Sequence, residues 1–212
     1  MTRVTIAAQL FFARAAAGVF PRHDQGRKLR RMEHPWLIIV TGLPATGKTR
    51  LARTFAQQRG WPLLPKDMIK EWLFDRLGSS DAAWSRQLSD ASFAILFALA
   101  RDLITYPSSL VLEGNFRPGE HDDALRSILP TSGSSAPRCL QVLCRVDEVD
   151  RRRRLDARAA DPDRHPGHLD AVLHTAARTA DAFLDLPSER LIHNSSDAAF
   201  DDVLARLTAL LS

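Results

Sequence analysis

Long uncharged runs, cysteine and lysine are what this sequence lacks, and each shortage closes off a class of protein. No stretch of roughly 18 residues is free of charge, and Arg, Asp or Pro interrupts the apolar runs, which argues against a membrane-spanning helix. The two cysteines, Cys139 and Cys144, fall within one apolar run. Held in a single extended strand they cannot close a disulfide, and they lack the spacing of zinc ligands. They read as reduced, buried thiols. Lysine occurs only as Lys28, Lys48, Lys66 and Lys70, so nearly all basic charge is arginine, and any single Arg is weak evidence for a role.

What is present suits one globular core. With 212 residues, 45% of them apolar, the chain can bury one good core but not two, so one domain with an appendage is expected. The net charge of +4 is unevenly placed. Residues 1–31 hold seven basic side chains against Asp24 alone, a surplus of +6, which leaves the remainder at −2. A globular part without a basic field does not favour nucleic acid as a partner. The basic leader has apolar Ile6, Leu10, Phe11 and Phe12 near its start. It fits a targeting segment, an amphipathic helix on a membrane or partner, or a dispensable leader. Arg14 interrupts what would be a signal-peptide core, and the reading carried forward is a dispensable leader before a cytoplasmic domain at 32–212.

From Trp36 onward, strand, turn and helix repeat, the pattern of an α/β domain with a mainly parallel sheet. Apolar runs that suit strands covered on both faces lie at Trp36–Thr41, Leu110–Leu112, Cys139–Val146 and Arg190–His193, with a short fifth at Trp61–Leu64. Helical periodicities fall between them at Lys48–Arg59, Asp67–Leu77, Trp84–Thr105, Glu120–Leu129, Asp147–Ala160, Leu169–Leu184 and Asp197–Leu211. Thr131–Pro137 reads as a surface loop.

The most specific motif joins the first strand to the first of these helices. Gly42-Leu43-Pro44-Ala45-Thr46-Gly47-Lys48-Thr49 is G-x-x-x-x-G-K-T between a β-branched strand and an apolar-periodic helix. Gly42 and Gly47 allow the chain to curl so that successive N–H groups face phosphate oxygens, and the helix adds its positive end. Lys48 brings a point charge to the β and γ phosphates, and Thr49 offers a hydroxyl to Mg²⁺. The expected ligand is ATP with Mg²⁺.

With that motif in place the chain resembles the small P-loop kinases and phosphotransferases that group with bacteriophage polynucleotide 5′-kinase, chloramphenicol phosphotransferase and the zeta toxins, AAA-type ATP-binding proteins. The resemblance runs from about Trp36 to Asn194 and implies a three-layer P-loop NTPase fold with a five-stranded sheet and a helical lid. Asp67, at the end of the second strand, matches the aspartate that in those kinases receives the proton of the attacking hydroxyl. The third residue beyond it is often Arg, where this chain has Lys70. Asp67 would equally serve as a helix cap.

The run Leu110-Val111-Leu112-Glu113 ends a strand on an acid, the arrangement in which a carboxylate meets Mg²⁺ directly or through water. Glu113 is longer than the usual Asp, and Asn115 or Arg117 beyond it would face the acceptor; a plain strand-end turn is the competing reading. Asp147-Glu148-Val149-Asp150 followed by Arg151 to Arg154 and Arg158 marks a helix whose charges complement its dipole. Arg151, Arg154 and Arg158 share one face. The resemblance implies a lid at about 147–168 closing over the nucleotide, with Arg154 and Arg158 as its catalytic arginines. His165 and His168 lack a third ligand at zinc spacing and read as loop surface. Trp72 and Trp84 suit core packing better than a pocket wall.

The chemistry expected is ATP-dependent phosphorylation of a hydroxyl on a small molecule. A nucleotide-dependent switch and a nucleic-acid 5′-end kinase or zeta-like toxin are the competing functions.

Overall fold

The computed structural model describes residues 35–78, 80–106, 108–129, 136–167, 181–195 and 200–211. The strands are β1 (Trp36–Thr41), β2 (Leu63–Pro65), β3 (Leu110–Glu113), β4 (Arg138–Arg145) and β5 (Glu189–Asn194). The helices are α1 (Lys48–Arg59), α2 (Lys66–Leu77), α3 (Ala82–Leu103), α4 (Asp122–Arg126), α5 (Glu148–Ala159) and α6 (Phe200–Leu210). The strands lie in the order β2-β3-β1-β4-β5, and every pairing is parallel.

Alternation along β1 explains the layers. Leu37 and Ile39 pack with Leu64, Ile69, Phe93, Leu96 and Leu125, while Trp36, Ile38 and Val40 pack with Leu51, Phe55, Val203, Leu204 and Leu207. Helices α1 and α6 therefore cover one face of the sheet, and α3 and α4 with Ile69 of α2 cover the other. Burial on both faces is why β1, β3 and β4 read as continuous apolar runs instead of alternating ones. Each fully buried Leu, Ile or Phe contributes about 1.5–3 kcal/mol by leaving water. Edge strand β5 alternates, with Leu191 and His193 buried and Ile192 exposed.

Register sets the working edge. Pro65 is opposite Glu113, Glu113 opposite Val40, Thr41 opposite Leu143 and Arg145 opposite Asn194, so the carboxyl ends of all strands come out together. In open parallel sheets this edge is where ligands sit.

Several expectations differ from the structure. The helix expected over Glu120–Leu129 is only α4, flanked by turns. Most of the helix expected over Leu169–Leu184 lies outside the described residues; 181–182 are bends and 183–184 are irregular. At Leu184 the buried Gln141 side chain donates to the carbonyl (3.1 Å) and accepts from the N–H (2.8 Å), engaging the backbone groups a helix would use. Asp122 holds the next residue, accepting from the N–H of Asp185 at 2.8 Å. Trp72 and Trp84 are half-buried and outside both core clusters, the Trp84 indole donating to the Gly78 carbonyl at 3.0 Å. Residues 1–34, His168 and most of the Thr131–Pro137 loop lie outside the described residues. No helix among the described residues is long and apolar enough to cross a membrane.

Candidate active site

Residues 42–47 connect the central strand to α1, and their backbone is unusual. Gly42 has φ 140° and Gly47 φ 84°, and Ala45 also has a positive φ, 68°. Left-handed backbone is costly for a residue with a Cβ, which explains glycine at the two ends of the motif. Space requires it too: a Cβ on Gly42 would stand 2.3 Å from the Cys144 carbonyl oxygen, and one on Gly47 2.7 Å from Ser195 Oγ. The loop is tied internally by Thr46, whose hydroxyl donates to the Leu43 carbonyl at 2.8 Å. Lys48, buried at the start of α1, points its Nζ back to within 3.4 Å of the same carbonyl. Pro44 lies within the turn.

One helical position further, Thr49 donates to Glu113 Oε1 at 3.1 Å. Glu113 is 1% exposed, and its Oε2 is buried without a hydrogen-bond partner. Burial pushes its carboxyl above the ordinary range, opposed in part by Lys48. An orphaned carboxylate oxygen beside a hydroxyl is a hard-oxygen donor set and fits Mg²⁺, which takes one or two protein ligands and completes its shell with phosphate oxygens and water. Among the described residues no group of three or more His, Cys, Asp or Glu could hold a metal by itself.

Asp67 lies in the first turn of α2, directly after β2, with its side chain 44% exposed. The N-cap position is Pro65, which offers no side-chain cap, and Asp67 is the acid of the first turn, where its charge suits the helix dipole. Its carboxylate faces Lys66 Nζ at 3.4 Å. Lys70 donates to Ser85 Oγ at 2.9 Å. Asn115, in the turn after β3, is half-buried; the N–H of Arg117 donates to His121 Nδ1 at 2.9 Å, and Arg117 also pairs with Glu120 at 2.8 Å. Asp67, Lys70, Asn115 and Arg117 thus lie on segments at the β2–β3 end of the sheet.

The arginine run is sorted by its neighbours. Glu148 takes both Arg151, bidentately at 2.9 Å, and Arg152 at 3.0 Å, while Asp150 takes Arg153 at 2.7 Å. These pairs hold the Glu148 carboxyl down at about 2. Arg154 turns the other way. It donates to the Ser195 hydroxyl (3.0 Å) and carbonyl (2.8 Å) and reaches the Ala45 carbonyl at 3.4 Å, on the phosphate loop. Arg158 follows one turn later on α5 and is half-buried. His165 lies in a loop, as expected, and ties it to α2: its Nε2 is 3.0 Å from the exposed Asp75 Oδ1 and its ring stands edge-on to Phe74.

Three features were missed in the sequence. Lys66 is 4% exposed, and a buried lysine at a strand end is visible only once α2 is known to start there. Ser195 meets the phosphate loop from beyond β5. A cavity of 280 Å³ opens between them, lined by Gly47, Arg50, Arg153, Arg154, His193, Ser195 and Phe200, with the Arg50 guanidinium 4.1 Å above the Phe200 ring.

An AAA domain family model matches residues 37–182. A crystal structure of a candidate kinase from Chloroflexus aurantiacus J-10-fl is 30% identical, with a TM-score of 0.71 over 82% of this chain and 97% of that one. A sugar kinase from Janibacter sp. HTCC2649 (14% identity, TM-score 0.54, 84% and 94% covered) and a gluconokinase from Sinorhizobium meliloti 1021 (17%, 0.50, 84% and 95%) share the fold. No curated protein matches the sequence.

Proposed function

Because the chain belongs to the AAA domain family and to the small P-loop kinases within it, we propose that it transfers the γ-phosphoryl group of ATP to a hydroxyl of a small molecule. The observation that carries this reading is the position of Asp67: a partly exposed carboxylate two residues past the Pro65–Glu113 pairing and within electrostatic reach of Glu113. A binding-only protein has no need of a second carboxylate at that mouth, whereas hydroxyl phosphorylation needs a group to orient the nucleophile and receive its proton. The names of the fold neighbours, a sugar kinase and a gluconokinase, agree with an alcohol acceptor.

In this reading the main-chain amides of residues 43–48 and the Lys48 ammonium bind the β and γ phosphates and neutralise charge that grows there during transfer. Thr49 and Glu113 hold Mg²⁺, which when bound supplies Lewis-acid neutralisation of the phosphate oxygens. Arg154, tied to Ala45 and Ser195, meets charge on the phosphates from the α5 side, with Arg158 behind it in the lid, residues 147–168. The cavity between Arg50, Phe200 and His193 receives the base, which can stack on the Arg50–Phe200 pair. Asp67 takes the acceptor's proton, and Lys70, Asn115 and Arg117 position the acceptor.

The test is ADP release by the full chain with ATP and Mg²⁺, with and without pooled hydroxylated metabolites. Acceptor-dependent acceleration is expected. Turnover indifferent to every acceptor, with a nucleotide-induced conformational change, would favour a switch.

A further inference from the structure

The β2–β3 end of the site carries more positive charge than phosphoryl transfer to a neutral alcohol calls for. Lys66 opens α2 with a side chain only 5% exposed, although lysine is among the residues least often buried. Burying an ammonium costs free energy unless it is well paired. Its carboxylate partner Asp67 is 3.4 Å away and 44% exposed, and its other neighbour is the ring of Phe93, 5.4 Å to the centroid. Burial lowers the Lys66 pKa, Asp67 opposes this, and Lys48 and Arg117 add to the lowering, so these cations lie within electrostatic reach of one another.

Two more cations face the same region. Lys70, one turn along α2, donates to the neutral hydroxyl of Ser85, and its pKa is lowered by burial and then by Lys66. Arg117 meets Glu120 with one nitrogen, but its Nε is buried with no partner. Close approach of the two segments depends on Gly114, where a Cβ would stand 3.2 Å from that of Lys66. Nearby carboxylates include Glu113, buried and hydrogen-bonded by Thr49, Glu120, 48% exposed and paired with Arg117, and Asp67, whose charge is lost when it takes the acceptor's proton.

We infer that the acceptor is a small hydroxylated anion whose carboxylate or phosphate-ester group is held by Lys66, Lys70 and Arg117 while its hydroxyl lies against Asp67. The inference rests on the phosphotransferase reading and adds the substrate class. An oxyacid group offers lone pairs to Arg117 Nε and to both ammoniums, and charge-assisted contacts of this kind are the strong ones. It also keeps a negative charge beside Lys66 when Asp67 takes the proton. The hydroxyl proton passes to the Asp67 carboxylate and the acceptor oxygen bonds to the γ-phosphorus. The bond from that phosphorus to the β–γ bridging oxygen breaks, its electron pair leaving on ADP.

ADP release by the full chain with ATP and Mg²⁺ tests this with hydroxylated monocarboxylates, hydroxylated phosphate monoesters, the methyl esters and neutral polyols corresponding to them, and a short oligonucleotide with a free 5′ hydroxyl. One anionic class should accelerate turnover, which also tells carboxylate from phosphate, and its neutral counterpart should show kcat/KM about ten- to hundredfold lower. Lys66→Gln and Arg117→Gln should raise KM for the active compound about tenfold or more with KM for ATP little changed, and Lys66→Arg should recover part of the loss. Neutral compounds as active as their anions would overturn the inference and leave the kinase reading in place. Activity confined to the oligonucleotide would overturn the small-molecule assignment. No activity with any class, while a non-hydrolysable ATP analogue binds, would overturn the kinase reading and this inference together. If Lys66→Gln does not fold, the comparison of anion with neutral counterpart on the wild-type chain decides.

Discussion

Thr49 and Glu113 lie 64 positions apart, yet the hydroxyl of one is 3.1 Å from the carboxylate of the other, because β1 and β3 are neighbours in register and α1 starts directly above them. The pair leaves Glu113 Oε2 buried and unpartnered, an arrangement that disfavours the free protein and suits a cation. Glu113→Gln should therefore melt no lower than wild type without ligand, and should lose most of the extra melting temperature that Mg²⁺ adds to ADP or ATP. Differential scanning fluorimetry with nucleotide, with and without Mg²⁺, reads both effects.

Asp67→Asn keeps the size of the side chain and removes its basicity. Transfer to the acceptor should fall about 10²- to 10⁴-fold, the usual contribution of a general base. Binding of a fluorescent ATP analogue should change little, since Asp67 lies beyond the phosphate loop. Full transfer activity in this variant would refute the assignment of the base.

Gly47→Ala meets two obstacles, a left-handed φ of 84° and the Ser195 hydroxyl 2.7 Å from the new methyl. The backbone part costs roughly 1–2 kcal/mol, and nucleotide binding should drop sharply by isothermal titration. Adding Ser195→Ala removes the clash but not the backbone cost, so the double variant should regain only part of the affinity.

The consecutive arginines 151–154 of α5 should separate in a scan. Arg154→Ala is expected to lower kcat about tenfold or more. Arg152→Ala, an exposed side chain paired with Glu148, should stay within about twofold of wild type. Arg151→Ala should act on stability instead, since it strips a buried guanidinium from its bidentate partner.

His121 sets a pH dependence. Burial, followed by Arg117, lowers its pKa from 6.5 to about 4, and Nδ1 is engaged by the Arg117 N–H. The unfolded chain therefore binds more protons than the folded one between these values. The stability His121 contributes is present above pH 6.5 and is lost as pH falls towards 4. His121→Phe should flatten that decline. The quantity to measure is the difference between wild-type and variant urea midpoints across the range, because buried Glu113, with its raised pKa, titrates with the opposite sign.

Elements held by local chemistry were legible in the sequence, and those held by distant partners were not. β1, the phosphate loop and α1 followed from the apolar run, the two glycines and helical periodicity, and their bounds agree with the structure to the residue. Glu113 and Asp67 were recognisable as acids at strand ends. The pairing of Glu113 with Thr49 depends on β1 and β3 being neighbours, which no local pattern states. Arg154 could not be told from its neighbours by composition. Asp150 lies four residues before it, the spacing of the Glu148–Arg152 pair, and Arg154 differs only because the fold brings Ala45 and Ser195 within its reach. The irregular backbone at 181–184 was unreadable because Gln141, 43 positions from Leu184, supplies the bonds to its N–H and carbonyl.

The position of β1 at the middle of the strand order has one last consequence. To one side, β3 and β2 carry the groups assigned to the acceptor; to the other, β4 and β5 lead to those assigned to the base. The strand between them runs straight into the phosphate loop. On the function proposed, changes confined to the outer β2 flank would alter the acceptor and leave the phosphate loop untouched.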